Sequence, residues 1–556
     1  MSNPLPNGTA LTTRAVPSFL RLQFYDGWRL MTIVVAAMVI TPLSVVLLSW
    51  LNPAGEIWGH LSETLLADLL INTFWLVTGV STGTVILGVS LAWLTAVCDF
   101  PGRKFFSWSL LLPLAMPAYV LAFVSLGIFD FSGPVQSLLR HWFGSSHWFP
   151  DIRSTAGVIT VLTLALYPYV YLLTRNAFQT QGKRMLEAAE SLGCSPRRAF
   201  FRVVLPMARP WIAGGTLLVI MESLADFGAV SIFNYDTFTT AIYKAWFGFF
   251  SLSAAAQLAS CLIVLVFVII VAEQRMRSRM RFSEARQMTR GDRIQLHGLW
   301  RFLATGYALA ILSVAFIFPL LQLLYWSLEI FHEEFTVRYW QLVWHSLTLG
   351  VTAALLICGV ALLLAYTARR HPDLPTTGLV RIANLGYALP GTVLAVGIFI
   401  PVAAIDNFII DLGETLFGVE LGQLLQGTLL IMLLAYLVRF MAAGFKAIDG
   451  AMHRVTPSID EAARLAGLRG LRLLVTVHLP MLRSGLLTAL TLVFVDVMKE
   501  MPITLMTRPF GWDTLAVKIF ELTSEGEWER AALPAITLLF SGLLPIVVLM
   551  RKSERD

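Results

Sequence analysis

Apolar residues in this chain do not alternate with polar ones; they run on without a break. Twelve stretches of about 20 residues are almost wholly apolar, near 30–50, 74–97, 107–127, 154–174, 208–228, 255–273, 302–327, 345–367, 382–405, 423–445, 483–501 and 532–550. At about 1.5 Å per residue, each reaches across roughly 30 Å of hydrocarbon as an α-helix. A helix also satisfies its own backbone polar groups, which lipid cannot do. The pattern predicts an all-α polytopic membrane protein of about 12 transmembrane helices. Composition agrees: 57% of the 556 residues are hydrophobic and 14% charged, against about 25% charged in a soluble domain. Soluble enzymes, disordered tails and disulfide-rich secreted modules are excluded.

The formal charge of +6 changes the picture only through where it lies. Basic residues occupy alternate short loops: Arg103/Lys104, Lys183 to Arg209, Arg275 to Arg293, Arg369/Arg370/Arg381, Arg439 to Arg483, and Arg551/Lys552. The opposite loops are acidic, with Glu56, Glu63 and Asp68, then Glu329, Glu333 and Glu334, then Asp406, Asp411, Glu414 and Glu420. The positive-inside rule then puts both termini in the cytoplasm and accounts for the basic pI without nucleic acid. Arg14, Arg21 and Arg29 precede the first stretch as in a signal peptide, but no small-residue cleavage site follows, so that helix is read as retained. Seven arginines in 274–298 fit a cytoplasmic linker that fixes topology, and also fit anionic headgroups. Cys98, Cys194, Cys261 and Cys358 have no CxxC spacing and suggest neither zinc nor a disulfide framework.

A repeat organises the twelve stretches. Glu187-Ala188-Ala189, Gly193 and Leu205-Pro206 recur 274 positions later as Glu461-Ala462-Ala463, Gly467 and Leu479-Pro480. Met116-Pro117 matches Leu389-Pro390 at 273, and Thr240 and Lys244 match Thr514 and Lys518 at 274. Six helices per copy is an even number, so the copies enter the membrane in the same sense, about an axis along its normal. The expected organisation is a cytoplasmic segment 1–29, a first repeat 30–273, the Arg-rich linker 274–298, a second repeat 299–550 and a cytoplasmic tail 551–556.

Each Glu-Ala-Ala motif lies in a cytoplasmic loop after the fourth helix of its copy. Residues 183–192 read as a short helix stopped by Gly193, and Ser195-Pro196 starts another. Leu186, Ala189 and Leu192 are expected on one side and charged residues on the other. Such an element suits a groove on a soluble partner; an amphipathic helix lying on lipid, helped by Arg197, Arg198 and Arg202, is the other reading. Duplication at constant spacing favours docking.

The repeat also preserves acids inside apolar stretches. Glu222 and Asp226 answer to Asp496 and Glu500, all 274 apart. At i and i+4 each pair is expected on one helix face, with Gly228 and Pro502 stopping or bending the helices just beyond. Intramembrane acids are costly unless they face water or a partner. One reading is a path on the pseudo-twofold axis lined by four carboxylates, favouring a hard, highly charged cation over sulfate, molybdate or phosphate. The other is that they neutralise nearby cations, such as Lys499 beside Glu500. Tyr235, Asp236 and Tyr387 also carry oxygen, but an interfacial tyrosine anchor is the commoner arrangement.

The chain lacks GxxxxGK[ST], so it cannot cradle ATP; His332-Glu333-Glu334 lacks a zinc protease's second histidine, and no GxSxG stands out. No catalysis is expected of it.

The paired motifs resemble the EAA loops of permease subunits of bacterial ABC importers with the MetI-like fold, over roughly 70–270 and 345–550. The resemblance implies that Glu187, Ala188, Ala189 and Gly193, with Glu461, Ala462, Ala463 and Gly467, form coupling helices. Two copies of an ABC ATPase would grip them, with ATP and Mg bound there and no cofactor on this chain. Glu222-Ser-Leu-Ala-Asp226-Phe-Gly-Ala-Val, Lys499-Glu500-Met-Pro502, Arg508-Pro-Phe-Gly and Asp513-Thr-Leu-Ala resemble fused permeases of ferric-iron importers. That implies Fe3+ handed over by a periplasmic ferric-binding protein at a bacterial inner membrane, with Glu222, Asp226, Asp496 and Glu500 as transient metal contacts. Met501 and Ile503 depart from that pattern. Thiamine, polyamine and aminophosphonate permeases share the architecture. An ion-gradient carrier leaves the duplicated loops unexplained, and a membrane scaffold leaves the acids unexplained.

Overall fold

The computed structural model describes residues 27–51, 55–278, 293–418 and 422–553. Residues 1–26 with Arg14 and Arg21, most of the Arg-rich linker, Glu420 and residues 554–556 lie outside the described residues. Each apolar stretch is met by a helix. In the first repeat these are α1 (Gly27–Leu48), α2 (Leu66–Val97), α3 (Ala118–Phe129), α4 (Thr155–Ala177), α5 (Leu205–Ala225) and α6 (Leu252–Ser278). In the second they are α7 (Leu299–Glu329), α8 (Val337–Arg370), α9 (Gly391–Phe417), α10 (Leu429–Met452), α11 (Arg483–Lys499) and α12 (Trp528–Ser553). Among the described residues, ten helical stretches are individually long and apolar enough to cross a membrane. An eleventh forms if Gly470–Met481 and α11, bent by 82° at Leu482, count as one. The stretch at 532–550 lies within α12.

The third and ninth stretches are not continuous helices. Residues 107–127 divide into a helix Arg103–Ser109, a tight turn Leu112–Ala115 and α3, and residues 382–405 into Leu374–Ala383, Leu385–Ala388 and α9. Pro117 and Pro390 cause both breaks: proline has no N–H to give the preceding turn and forces the residue before it out of the helical region. Met116 and Leu389 accordingly sit at ψ 120° and 132°.

The repeats exchange their outer helices. The core formed by α2 to α5 is completed by α7 and α12, and that of α8 to α11 by α1 and α6. On the first side of the exchange, Trp28 of α1 packs edge-on against Tyr366 of α8 at 4.9 Å, and Arg29 pairs with Asp373. On the other, Ile294–Gln295 pairs as a short parallel strand with Cys98–Asp99, and the Thr305 hydroxyl donates to the Pro101 carbonyl at 3.0 Å. Each half therefore clasps the other by its first helix.

The same contacts put the two EAA loops on one face. The base of the first loop packs on the end of α2, where Trp93 meets Phe178 at 5.5 Å and Phe200 at 4.6 Å. The second packs on the end of α8, the repeat mate of α2, through Arg369 to Asp460 at 2.7 Å and the Tyr366 hydroxyl to the Gly470 carbonyl at 3.1 Å.

Candidate functional site

Both EAA motifs fold into the same device. Lys183–Ser191 and Pro457–Leu465 are short helices followed by Gly193 at φ +83° and Gly467 at φ +84°. In the first, the Cys194 N–H donates to the Ala189 carbonyl at 3.0 Å and Gly193 N–H to Glu190 at 2.9 Å. The second repeats this with Leu468 to Ala463 at 3.0 Å and Gly467 to Arg464 at 3.0 Å. These are paired Schellman closures, which need a left-handed residue and hence glycine. Ala189 and Ala463 face inward, while Glu187, Ala188, Glu461 and Ala462 face outward. Leu186 is buried as expected, but Leu192 is not: the helix ends at Ser191 and the turn at Gly193 leaves Leu192 85% exposed, with Leu465 91% exposed on the other copy. Each motif thus presents a leucine and small residues outward.

After each motif the chain does not form a separate second helix, as the sequence suggests for the first copy. Pro196–Ala199 runs through a wide π-type turn, Phe200–Val204, directly into α5. The second copy makes the same turn at Leu474–His478 and then bends at Leu482.

All four membrane acids border one cavity of about 430 Å³ between the repeats, where α5 and α11 meet the Pro117 and Pro390 breaks. Their geometry differs from the expected shared helix faces. Helix α5 stops at Ala225 and α11 at Lys499, so Asp226 and Glu500 are themselves extended, at ψ 128° and 114°. Each turns back on the short helix that follows, Gly228–Ile232 or Pro502–Thr507. Asp226 accepts from the Val230 N–H at 3.0 Å, and Glu500 from the Ile503 N–H at 3.2 Å. Thr239 and Thr504 hydroxyls complete the corners by donating to the carbonyls of Asp226 and Glu500 at 2.6 and 2.7 Å. The helix start draws the carboxylate because its N–H groups are otherwise unpaired.

One acid per repeat keeps no such duty. Glu222 and Asp496 are repeat mates inside α5 and α11 and border the cavity. Among the described residues, no three acids, histidines or cysteines gather as a metal site requires. The acids on the cavity wall thus form no preformed cage among the described residues.

Two cations share it. Arg439 lies inside α10 and pairs with Glu500 at 3.2 Å, its guanidinium also donating to the Leu389 carbonyl at 2.6 Å. Lys499 does not pair with its neighbour Glu500; its ammonium crosses to the other repeat and donates to the Leu114 carbonyl at 2.8 Å. Both carbonyls belong to the proline breaks. The close approach of the repeats is tight at Gly228, where a Cβ would lie 2.7 Å from Tyr119 Cβ and 3.0 Å from Met501 Cε.

Several sequence readings are revised here. Arg439 leaves the cytoplasmic basic cluster for the cavity wall; its place in an apolar stretch was the available signal. Tyr387 is a cavity residue, as are Tyr119 and Tyr169. Tyr235 instead donates to the Asn72 carbonyl at 3.1 Å, and Asp236 pairs with Lys244 at 2.5 Å. The helix starts beyond the acids are capped by Thr237 and Thr514, so the intervening loop is three residues longer in the second repeat, and Thr240 and Lys244 are not the positional mates of Thr514 and Lys518. The four cysteines are free.

Residues 84–282 match the family described as binding-protein-dependent transport system inner membrane component. The chain is 27% identical to the Fe(3+)-transport system permease protein FbpB 2 of Haemophilus influenzae, over 87% of this chain and 90% of that one. It is 29% identical to the putative 2-aminoethylphosphonate transport system permease protein PhnV of Salmonella typhimurium, over 45% of this chain and 95% of PhnV. With the molybdenum transport system permease protein ModB of Escherichia coli it shares 32% identity over 26% of this chain and 62% of ModB.

Proposed function

We propose that this chain, which carries a binding-protein-dependent transport domain, is a two-repeat permease of an ATP-driven importer of ferric iron. The observation that carries the reading is the meeting of repeat-paired acids from both halves in one cavity, above two matched EAA devices on one face. A similar chain of almost the same extent is a Fe(3+)-transport permease, and carboxylates lining the cavity attract a hard cation. Glu222 and Asp496 are the cargo contacts, one from each side. Asp226 and Glu500 hold the helix corners that shape the passage.

In this reading the EAA face is cytoplasmic, both termini lie on that side, and the chain sits in a bacterial inner membrane. Two ATPase copies, which bind the ATP and Mg, seat Glu187 and Gly193, and Glu461 and Gly467, in their clefts. A periplasmic ferric-binding protein delivers iron to the opposite face. Closure of the ATPases moves the two loops together, and because each repeat holds the other's outer helices, the halves rock as two bodies about the cavity. Single carboxylates suit this task, since a tight cage would retain the ion.

The test is reconstitution in proteoliposomes with the ATPase and the loaded binding protein. ATP-dependent radioiron uptake, resistant to excess thiamine and polyamine, is expected. Uptake driven by an ion gradient without ATP overturns the reading in favour of a secondary carrier. Glu187→Arg with Glu461→Arg should release the ATPase during purification; an intact complex overturns the assignment of the loops.

A further inference from the structure

The cavity wall is electrically lopsided, although the chain is a repeat. The first repeat contributes Glu222 and Asp226 and no cation among the described residues; the second contributes Asp496 and Glu500 together with Arg439 and Lys499. The position of Lys499 in the second copy is held by Ala225 in the first. A pair of identical subunits cannot be built this way, because a cation on one side would appear on both. Fusion has allowed one wall to stay acidic while the other became mixed.

This arrangement fits a bare trivalent ion poorly. An ion stripped of water needs several anionic oxygens around it. Two of the four carboxylates are turned to helix starts, and no three acids converge. Two fixed cations beside the passage oppose a naked cation further. Arg439 and Lys499 instead present the N–H donors that oxyanions bind. Tyr119 borders the same cavity, and its buried hydroxyl, on a residue 6% exposed, has no hydrogen-bond partner among the described residues. About 430 Å³ is also far more room than one ion occupies.

Resting on the ferric reading above, we propose that iron crosses together with a small oxyanion ligand of the phosphate or carboxylate type. The metal faces Glu222 on the acidic wall, and the anion faces Arg439 and Lys499 on the mixed one. The anion supplies the oxygens and negative charge that the cavity withholds, and the lopsided wall orients the complex.

The experiment uses the full complex in proteoliposomes, with the binding protein loaded with radioiron and either radiolabelled phosphate or radiolabelled citrate. The expected result is ATP-dependent entry of iron with one of the anion labels in constant proportion; which label enters identifies the ligand. Lys499→Gln, and the charge-balanced double variant Arg439→Gln with Glu500→Gln, should lower uptake of both labels together, several-fold. Iron entering with neither anion label overturns the proposal and leaves the ferric function standing. Faster iron entry in the cation variants overturns it too, since that is how a bare trivalent ion behaves. Absence of any iron entry overturns the ferric reading itself. The label ratio in the unaltered protein decides the matter even if a variant fails to assemble.

Discussion

Removing Arg439 should damage the protein more than removing Arg439 and Glu500 together. Their charged atoms lie 3.2 Å apart, and the side chains are 14% and 7% exposed. At an effective dielectric near 20 the attraction is about 5 kcal/mol, much of it cancelled by the desolvation of both groups. Deleting one partner leaves the other's desolvation uncompensated, a loss of about 3–5 kcal/mol. Arg439 also carries the Leu389 carbonyl at 2.6 Å, a charge-assisted bond worth about 1.5–3 kcal/mol, part of which a glutamine can recover. Arg439→Gln should therefore cost about 3–5 kcal/mol, and adding Glu500→Gln should restore about 1–3 kcal/mol of it. Unfolding in mixed micelles of mild detergent and dodecyl sulfate, read by tryptophan fluorescence across the four members of the cycle, measures the coupling. Strict additivity, or a double variant less stable than either single one, would refute the ion pair as the organiser of this wall.

The acids should separate into two behaviours: Glu222→Ala and Asp496→Ala are expected to cut radioiron uptake while leaving the melting temperature and ATPase assembly in place. Asp226→Ala and Glu500→Ala should each lose stability, by about 1 kcal/mol for the lost cap alone and by more at Glu500, where Arg439 is orphaned; equal behaviour of all four in a melt-and-uptake series would sink the distinction. Gly228→Ala drives a methyl into Tyr119 Cβ and Met501 Cε at 2.7 and 3.0 Å and should cost about 1–3 kcal/mol, partly relieved by Met501→Ala, as thermal unfolding of the pair would report. At Asp373, burial pushes the carboxyl up but is outweighed by hydrogen bonds from Thr376 and by the Arg29 charge, so its value falls below the ordinary range. Its contribution is then complete above the unfolded value of about 3.9 and lost as pH drops through the lower folded value. Between pH 7 and 5 the melting temperature difference between Asp373→Asn and the parent should stay constant, narrowing only at more acid pH.

The run of apolar stretches, the spacing of the two copies, the glycine stops of the EAA loops and the four membrane acids were all legible in the sequence. Each is a local property: a span needs only its own length and apolarity, a Schellman closure only its own glycine, and a repeat only its register. What each membrane charge does was settled by tertiary structure. Asp226 and Glu500 read as members of i, i+4 pairs because nothing local says that the helix stops at the acid and turns the carboxylate onto the next helix start. Arg439 read as cytoplasmic because its partners, Glu500 and the Leu389 carbonyl, are 61 and 50 positions away in the chain, and Lys499 finds its acceptor across the whole interface at Leu114. Within lipid, a buried charge goes wherever a partner of opposite sign or an unpaired carbonyl is packed against it. The exchange of α1 and α6 for α7 and α12 decides which groups those are.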